Sequence, residues 1–121
     1  MKVIITESKI NDVIRKYLYQ NYMPDTFSRF DTETPEERFK FFKNKVYNEG
    51  LYHFYKNGEE SWSYFGDWDG AGEVGIEEEV EDELNGLFGD KWIPVFKGWF
   101  EEITGLEVGA IVLNTDTIRF D

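Results

Sequence analysis

Closely spaced carboxylates between residues 67 and 78 are the clearest candidates for chemistry in this chain. Calcium takes six to eight hard oxygen ligands, and acidic side chains on a turn that glycine permits are one way to supply them. The predicted metal ligands are Asp67, Asp69, Glu73 and Glu78. We expect no cofactor for this chain, and calcium is the one that the residue pattern permits.

The same segment resembles the calcium-binding loop of EF-hand proteins. Asp67 and Asp69 stand at its first and third positions, and Gly72 stands at the sixth, where the chain turns sharply. Glu78 stands at the twelfth, which supplies a bidentate carboxylate. Ala71 departs from the pattern, because that position usually provides an oxygen. The alternative is an acidic turn whose glycines serve the backbone and whose acids are only solvated.

Residues that support catalysis are few. His53 is the only histidine and cysteine is absent, which excludes thiol nucleophiles and cysteine zinc sites. The expected hairpin register makes Trp62 the cross-strand neighbour of His53, and this favours a strand residue over a general base. No nucleophile elbow, P-loop, HExxH zinc motif or glycine-rich dinucleotide motif occurs. We therefore predict that the chain is not an enzyme.

Charge is divided unevenly along the 121 residues. Residues 1–50 hold 9 Lys and Arg against 8 Asp and Glu, whereas residues 51–121 hold 4 against 17, within a net charge of −12. Between Lys56 and Lys91 there are twelve acidic residues and no basic one. Such a surface repels phosphate backbones and attracts cations. The predicted partner is a basic protein surface, with no direct nucleic-acid contact.

An acidic helix and the aromatic residues before it form the predicted partner-binding set. Helical acids near an aromatic residue that is partly exposed are typical of a protein-binding surface, in which the ring serves as the anchor. Burial of the helix's apolar stripe outweighs the repulsion between its like charges, so the acids need no ligand for folding. The predicted contact residues are Glu77, Glu78, Glu81, Asp82, Trp62 and Trp68.

Helix signals predict four segments that position these residues. The clearest combines Thr34 as N-cap, Pro35 at the first helical position and Glu37 in a capping box, with Gly50 as the stop. Apolar residues at helical spacing mark the other three, and Val13 and Leu87 are expected on buried stripes. The other helices are expected over 7–20, 76–88 and 93–104, with a polar connection over 23–32 and a glycine-rich loop over 66–75.

Two hairpins and a short strand over 2–5 complete the predicted elements. Asn57-Gly58 is a strong two-residue hairpin signal between strands over 51–56 and 59–65. This turn predicts cross-strand pairs of Tyr55 with Glu60, His53 with Trp62, and Leu51 with Tyr64. A second hairpin is expected over 108–120. The order βαα-ββ-αα-ββ predicts a single α+β domain over residues 1–121, with about four helices.

The opening segment Met1-Lys2-Val3-Ile4-Ile5-Thr6-Glu7-Ser8, followed by an amphipathic helix, resembles the start of many small tailed-phage proteins. The resemblance implies a phage gene product that is either a virion component or an early protein acting on the host. Its apolar run is too short for a signal peptide, and no stretch is apolar enough for a membrane span. We therefore expect a location in the cytoplasm or in a virion, and no membrane contact.

The function that these patterns favour is a non-enzymatic, acidic protein-interaction domain, with a structural or assembly component as the first choice. One alternative is an acidic inhibitor that imitates nucleic acid and blocks a host nucleic-acid-binding protein. A calcium-binding module that uses residues 67–78 is the alternative from a different class. The oligomeric state cannot be read from the sequence.

Overall fold

The computed structural model describes residues 7–30, 34–67 and 70–120. The helices are α1 (Glu7–Asn21), α2 (Pro35–Glu49), α3 (Glu78–Phe88) and α4 (Trp92–Thr104), and short 3-10 helices cover Asp25–Phe30 and Gly89–Lys91. The strands are β1 (Leu51–Lys56), β2 (Glu59–Asp67), β3 (Gly70–Ile76), β4 (Val108–Val112) and β5 (Thr117–Arg119). The strand predicted over 2–5 lies outside the described residues.

The five strands form one mixed sheet in the order β1-β2-β3-β4-β5. β1, β2 and β3 are antiparallel neighbours, β4 lies parallel to β3, and β5 is antiparallel to β4. α3 and α4 form the crossover that a parallel pair of strands requires. The predicted α+β class is confirmed, but the two predicted hairpins belong to a single sheet because β3 joins them.

Aromatic side chains fill the space between the helices and one face of the sheet. The ring of Phe96 from α4 lies 5.0 Å from that of Trp62, and the ring of Phe100 lies 5.4 Å from that of Phe54, in edge-to-face arrangements. All four side chains are fully buried. Rings packed in this way add about 0.5–1.5 kcal/mol per pair to the free energy gained by burial. The core therefore holds α4 firmly against the sheet.

α2 begins and ends where its capping residues predict. The Thr34 hydroxyl accepts a hydrogen bond of 3.3 Å from the Glu37 amide, and Pro35 is the first helical residue. Gly50 closes the helix in the left-handed conformation, with φ of 73°. This prediction from the sequence is confirmed at both ends.

Two predictions about the helices and their connections are wrong. The segment over 23–32 is not simply polar, because its 3-10 helix buries Phe27 against Phe42 with ring centroids 5.4 Å apart. Val13 and Leu87 are exposed rather than buried. Each lies at the edge of its helix's apolar stripe, so the neighbouring Ile14 and Leu84 take the buried positions.

A β-bulge changes the predicted register of the first hairpin. Tyr55 pairs with Glu60 as expected, but Phe54 then pairs with Trp62 and His53 with Ser63. Ser61 is the extra residue on β2, and an extra residue moves every later side chain to the opposite face. The predicted pairs of His53 with Trp62 and of Leu51 with Tyr64 are therefore wrong.

The glycine-rich segment expected as a loop is largely β3. Residues 70–76 are extended, and Tyr64 pairs with Val74 while Trp62 pairs with Ile76. Ile76, which was expected in the helix, ends this strand, and α3 begins at Glu78. The prediction of a loop fails because glycine is rare in strands except where another part of the chain comes close to its backbone. Tyr64 and Phe65 come this close to Gly72.

Candidate protein-interaction surface

The face of the sheet opposite the aromatic core carries both buried and exposed side chains, Ser63 being buried and Phe65 exposed. The bulge at Ser61 directs Ser63 and Phe65 to this face, and it directs Trp62 and Tyr64 to the core. Ser63 pairs with Gly75, which pairs with Val112 on β4, so these three residues form one row across the sheet. Phe65 is 46% exposed, and it is the aromatic residue of this strand that a partner can reach.

A shallow hollow of about 430 Å³ lies beside Phe65. Gly75 forms part of its floor because a glycine leaves the space of a side chain empty, and a Cβ placed there would meet Phe65 Cε2 at 3.5 Å. Its lining residues are Ser63, Phe65, Gly75, Ile76, Glu77, Glu78, Val112, Leu113 and Asn114. This hollow, called the Phe65 hollow below, combines an aromatic wall with two carboxylates.

Four exposed carboxylates at the start of α3 form what is called the acidic rim below, namely Glu77, Glu78, Glu79 and Asp82. Among the lysine and arginine side chains that the structure describes, none forms an ion pair with the rim. Arg15 pairs with Glu102 and Lys97 with Glu101 instead, both on the α4 side of the molecule. The negative charge of the rim is therefore directed at solvent.

The predicted contact residues Trp62 and Glu81 are not available to a partner. Trp62 has no exposed surface and lies among the core rings. Glu81 is 6% exposed, and its Oε1 accepts a hydrogen bond of 2.8 Å from the Asn114 amide. Trp68 lies outside the described residues. Of the predicted contact set, the structure places Glu77, Glu78 and Asp82 on the surface.

Glu81 has a structural role instead, because it ties the β4–β5 turn to α3. Replacing it with alanine leaves the Asn114 amide without its partner, so Glu81→Ala is expected to lower the free energy of unfolding by about 1–3 kcal/mol. Glu81→Gln keeps the accepting oxygen and is expected to cost less. Urea unfolding followed by circular dichroism measures both variants. Equal stability of Glu81→Ala and the natural chain would contradict this role.

The predicted calcium ligands do not lie together in the part of the chain that the structure describes. Asp67 pairs with Gly70 at one end of β3, whereas Glu78 follows its other end. The seven residues of extended strand from 70 to 76 span about 20 Å, which separates the two positions widely. Glu73 lies between them, 3.9 Å from Arg119 Nη1, and Asp69 lies outside the described residues.

A calcium loop needs its first and twelfth residues on the same ion, and this geometry does not provide that. No group of three or more His, Asp or Glu side chains that suits a metal ion occurs among the described residues. Calcium binding at residues 67–78 therefore stays a prediction from the sequence alone.

His53 belongs to a small polar cluster on the open face of the sheet. Its Nδ1 contacts Glu60 Oε1 and lies 2.8 Å from Ser63 Oγ, and this hydroxyl lies 2.7 Å from Glu60 Oε1. The Ser63 hydroxyl, with a further contribution from His53, lowers the pKa of Glu60. Activation of a serine requires the acid and the hydroxyl on different ring nitrogens. In this cluster both are at Nδ1, which is a surface hydrogen-bond arrangement rather than a nucleophilic one.

A second groove, of about 440 Å³, lies on the other side of α3, between this helix, the end of α1 and the β1–β2 turn. Its carboxylates are Glu59, Glu60, Glu79 and Glu83. Glu83 accepts a hydrogen bond from Tyr17, which raises the pKa of Tyr17 to about 12. Acidic groups therefore flank α3 on both sides, and the apolar wall of Phe65 distinguishes the first hollow from the second.

Comparison with protein-family models, with curated proteins and with solved structures gave no match. Functional inference for this chain therefore depends on its own surface and packing. Among the described residues, no helix has both the length and the apolar character needed to cross a membrane.

Sequence reasoning did not identify Phe65 as the exposed aromatic residue. The predicted contact set contains Trp62 and Trp68 but not Phe65, and a strict alternation along β2 places Trp62 and Tyr64 on the same face as His53. The bulge reverses this assignment. No local pattern in the sequence marks the extra residue at Ser61, so the exposed position of Phe65 could not be predicted.

Proposed function

We propose that this chain is a non-enzymatic protein-interaction domain that binds a basic partner through the Phe65 hollow and the acidic rim. The observation that carries the proposal is an exposed aromatic ring beside carboxylates that pair with none of the lysine and arginine side chains in the described part of the chain. Aromatic anchors surrounded by polar groups supply most of the binding energy in protein interfaces. The charged rim adds partner selection and a faster encounter with basic surfaces.

Within this class, a structural or assembly component is the favoured role. A protein that imitates nucleic acid requires regular surface carboxylates and binds mainly through charge, so its affinity falls steeply with salt. The Phe65 hollow adds an apolar contact that salt does not weaken. The resemblance of the opening segment to tailed-phage proteins is compatible with either role in a phage-infected cell.

A matched pair of variants tests the proposal. Glu77→Gln/Glu78→Gln/Asp82→Asn neutralises three rim carboxylates, and Asp12→Asn/Glu36→Gln/Glu49→Gln neutralises three exposed carboxylates on α1 and α2. Exposed ion pairs contribute about 0.2–1 kcal/mol each, so the rim variant is expected to bind a lysine homopolymer about tenfold more weakly. The control variant, which has the same net charge, is expected to retain most of the binding.

The measurement is titration by isothermal calorimetry at low and at high salt. The same two variants, immobilised, then show whether the basic proteins captured from a lysate depend on the rim. Equal losses in the two variants would indicate attraction by net charge without a defined surface. In that case the proposed interaction site would have to be abandoned.

A further inference from the structure

We propose that the Phe65 hollow is a seat for a single arginine side chain of the partner, an inference that rests on the proposed function. The hollow is lined by an aromatic ring, three aliphatic side chains and two carboxylates within one space of about 430 Å³. An arginine side chain combines an apolar stem with a planar cation that stacks on rings and forms paired hydrogen bonds to carboxylates. Each part of the hollow therefore has a matching part of that side chain.

The shape of the hollow follows from the residues in one row of the sheet. Ser63 and Gly75 are small, so the floor lies below the level of the surrounding side chains. Val112 and Leu113 form one wall of the hollow. Phe65 lies two residues after Ser63 on β2, on the same face of the sheet, and borders the row there. A three-carbon stem lying on this floor would bury apolar surface on both sides, as the stems of long cationic side chains commonly do.

The lining carboxylates Glu77 and Glu78 form no ion pair with a lysine or arginine side chain that the structure describes. Arg119 of β5 pairs with Glu73 instead, with its Nη1 3.9 Å from Glu73 Oε1. The start of a helix carries a partial charge of about +0.5, which is smaller than the two negative charges beside it. The lining therefore attracts a cation, and a guanidinium also gains where it stacks on the exposed Phe65 ring.

Other occupants fit less well. A second copy of this chain would bring another acidic rim against the first one, and its net charge of −12 opposes that contact. A calcium ion needs six to eight oxygens, and the described residues hold no group of three or more His, Asp or Glu side chains that suits a metal ion. A lysine side chain has a compact, strongly hydrated ammonium that neither stacks nor forms a paired contact with a carboxylate. Arginine is the occupant that uses the ring and the acids together.

Titration of the full-length protein with N-acetyl-arginine amide tests the seat directly. The expected result is a saturable change in the amide NMR signals of Ser63, Phe65, Gly75 and Val112, with a dissociation constant on the order of 1 mM. N-acetyl-citrulline amide has the same shape without the charge and is expected not to bind. N-acetyl-lysine amide carries the charge without the planar group and is expected to bind at least about threefold more weakly.

Two variants separate shape from charge. Gly75→Val fills the floor without changing any charge, and a Cβ at this position meets Phe65 at an ordinary distance of 3.5 Å. It is expected to weaken arginine amide binding by at least about fivefold and to weaken lysine homopolymer binding by less, because the acidic rim keeps its charge. Glu77→Gln/Glu78→Gln alters only exposed side chains, so it remains informative if Gly75→Val unfolds, and it is expected to weaken both probes.

The outcomes distinguish this inference from the proposed function. Equal affinity for the arginine and lysine amides, or full arginine binding by Gly75→Val, would overturn the arginine seat. The acidic interaction surface would still stand if the lysine homopolymer required the rim. Absence of binding by both the arginine amide and the homopolymer would overturn the two proposals together.

Discussion

Replacing Gly72 with alanine is expected to lower the free energy of unfolding by about 3 kcal/mol or more, whereas Gly75→Ala in the same strand is expected to be neutral or slightly stabilising. A Cβ at Gly72 would lie 2.5 Å from Tyr64 Cζ and 2.6 Å from its Oη, and it would also strike the Phe65 carbonyl oxygen. The carbonyl belongs to the paired strand and cannot move without breaking the sheet. Steric overlap with backbone is therefore the main cost.

Hydrogen bonds add to the cost at Gly72. The Tyr64 hydroxyl donates to the Glu107 carbonyl at 2.7 Å and accepts from the Gly72 amide at 3.1 Å. This buried hydroxyl joins β2, β3 and the segment before β4, and displacing it loses about 0.5–1.5 kcal/mol for each bond. Tyr64→Phe is expected to show this part of the loss alone, without the steric part.

Urea unfolding of Gly72→Ala, Gly75→Ala and Tyr64→Phe measures the three contributions. The Gly75 variant is the matched control because the substitution is the same, the strand is the same and only the surroundings differ. At Gly75 an added Cβ makes an ordinary contact with Phe65, and alanine avoids the flexibility penalty of glycine. Similar stability of the two glycine variants would mean that β3 does not pack against Tyr64 as described.

Local signals were enough to predict the helices. The Thr34 cap, Pro35 and Gly50 act within a few residues of one another, so they can be read from the sequence without knowledge of the rest of the fold. α4 was also predicted closely, because its apolar residues recur at helical spacing and Gly105 ends it with φ of 76°. These elements depend little on distant contacts.

The sheet was predicted less well because its details depend on distant pairing. One extra residue at Ser61 reverses the faces of the first hairpin, and no local pattern announces such a bulge. The sequence predicts a loop at β3 because Gly70, Gly72 and Gly75 are typical of turns. Gly72 is required by the close approach of Tyr64 and Phe65 from β2, which only the folded chain reveals.

At the candidate surface too, the features that depend on neighbouring residues can be predicted from the sequence, whereas those that depend on distant contacts cannot. Glu77, Glu78 and Asp82 are exposed because they lie on the polar side of an amphipathic helix, which the sequence predicts. Glu81 lies on that helix too, but the β4–β5 turn approaches from 33 residues away and buries it. The sequence therefore predicted the charge of the surface, whereas the apolar anchor beside that charge required the structure.

Trp62→Ala is expected to lower the free energy of unfolding by about 3–5 kcal/mol, whereas Phe65→Ala on the same strand is expected to change it by no more than about 1 kcal/mol. Trp62 is completely buried, with Phe96 at 5.0 Å, Trp99 at 5.8 Å and Phe54 at 6.1 Å between ring centroids. Its removal leaves a cavity among rings that cannot close around it. Phe65, at 46% exposed, leaves no enclosed space.

For binding, the residue at position 65 is expected to matter and the residue at position 62 is not, which is the reverse of their effects on stability. Variants at these two positions therefore decide which aromatic residue contacts the partner. Phe65→Ala removes the aromatic face and is expected to weaken arginine amide binding about threefold or more while the protein stays folded. Trp62→Phe keeps an aromatic core and is expected to bind as the natural chain does, because residue 62 is buried beneath the sheet rather than at its open face. Urea unfolding and the NMR titration measure the two properties separately. The contrary result is weaker binding by a stable, folded Trp62→Phe variant while Phe65→Ala binds normally. That result would mean that Trp62 contacts the partner, and it would require the opposite register for β2.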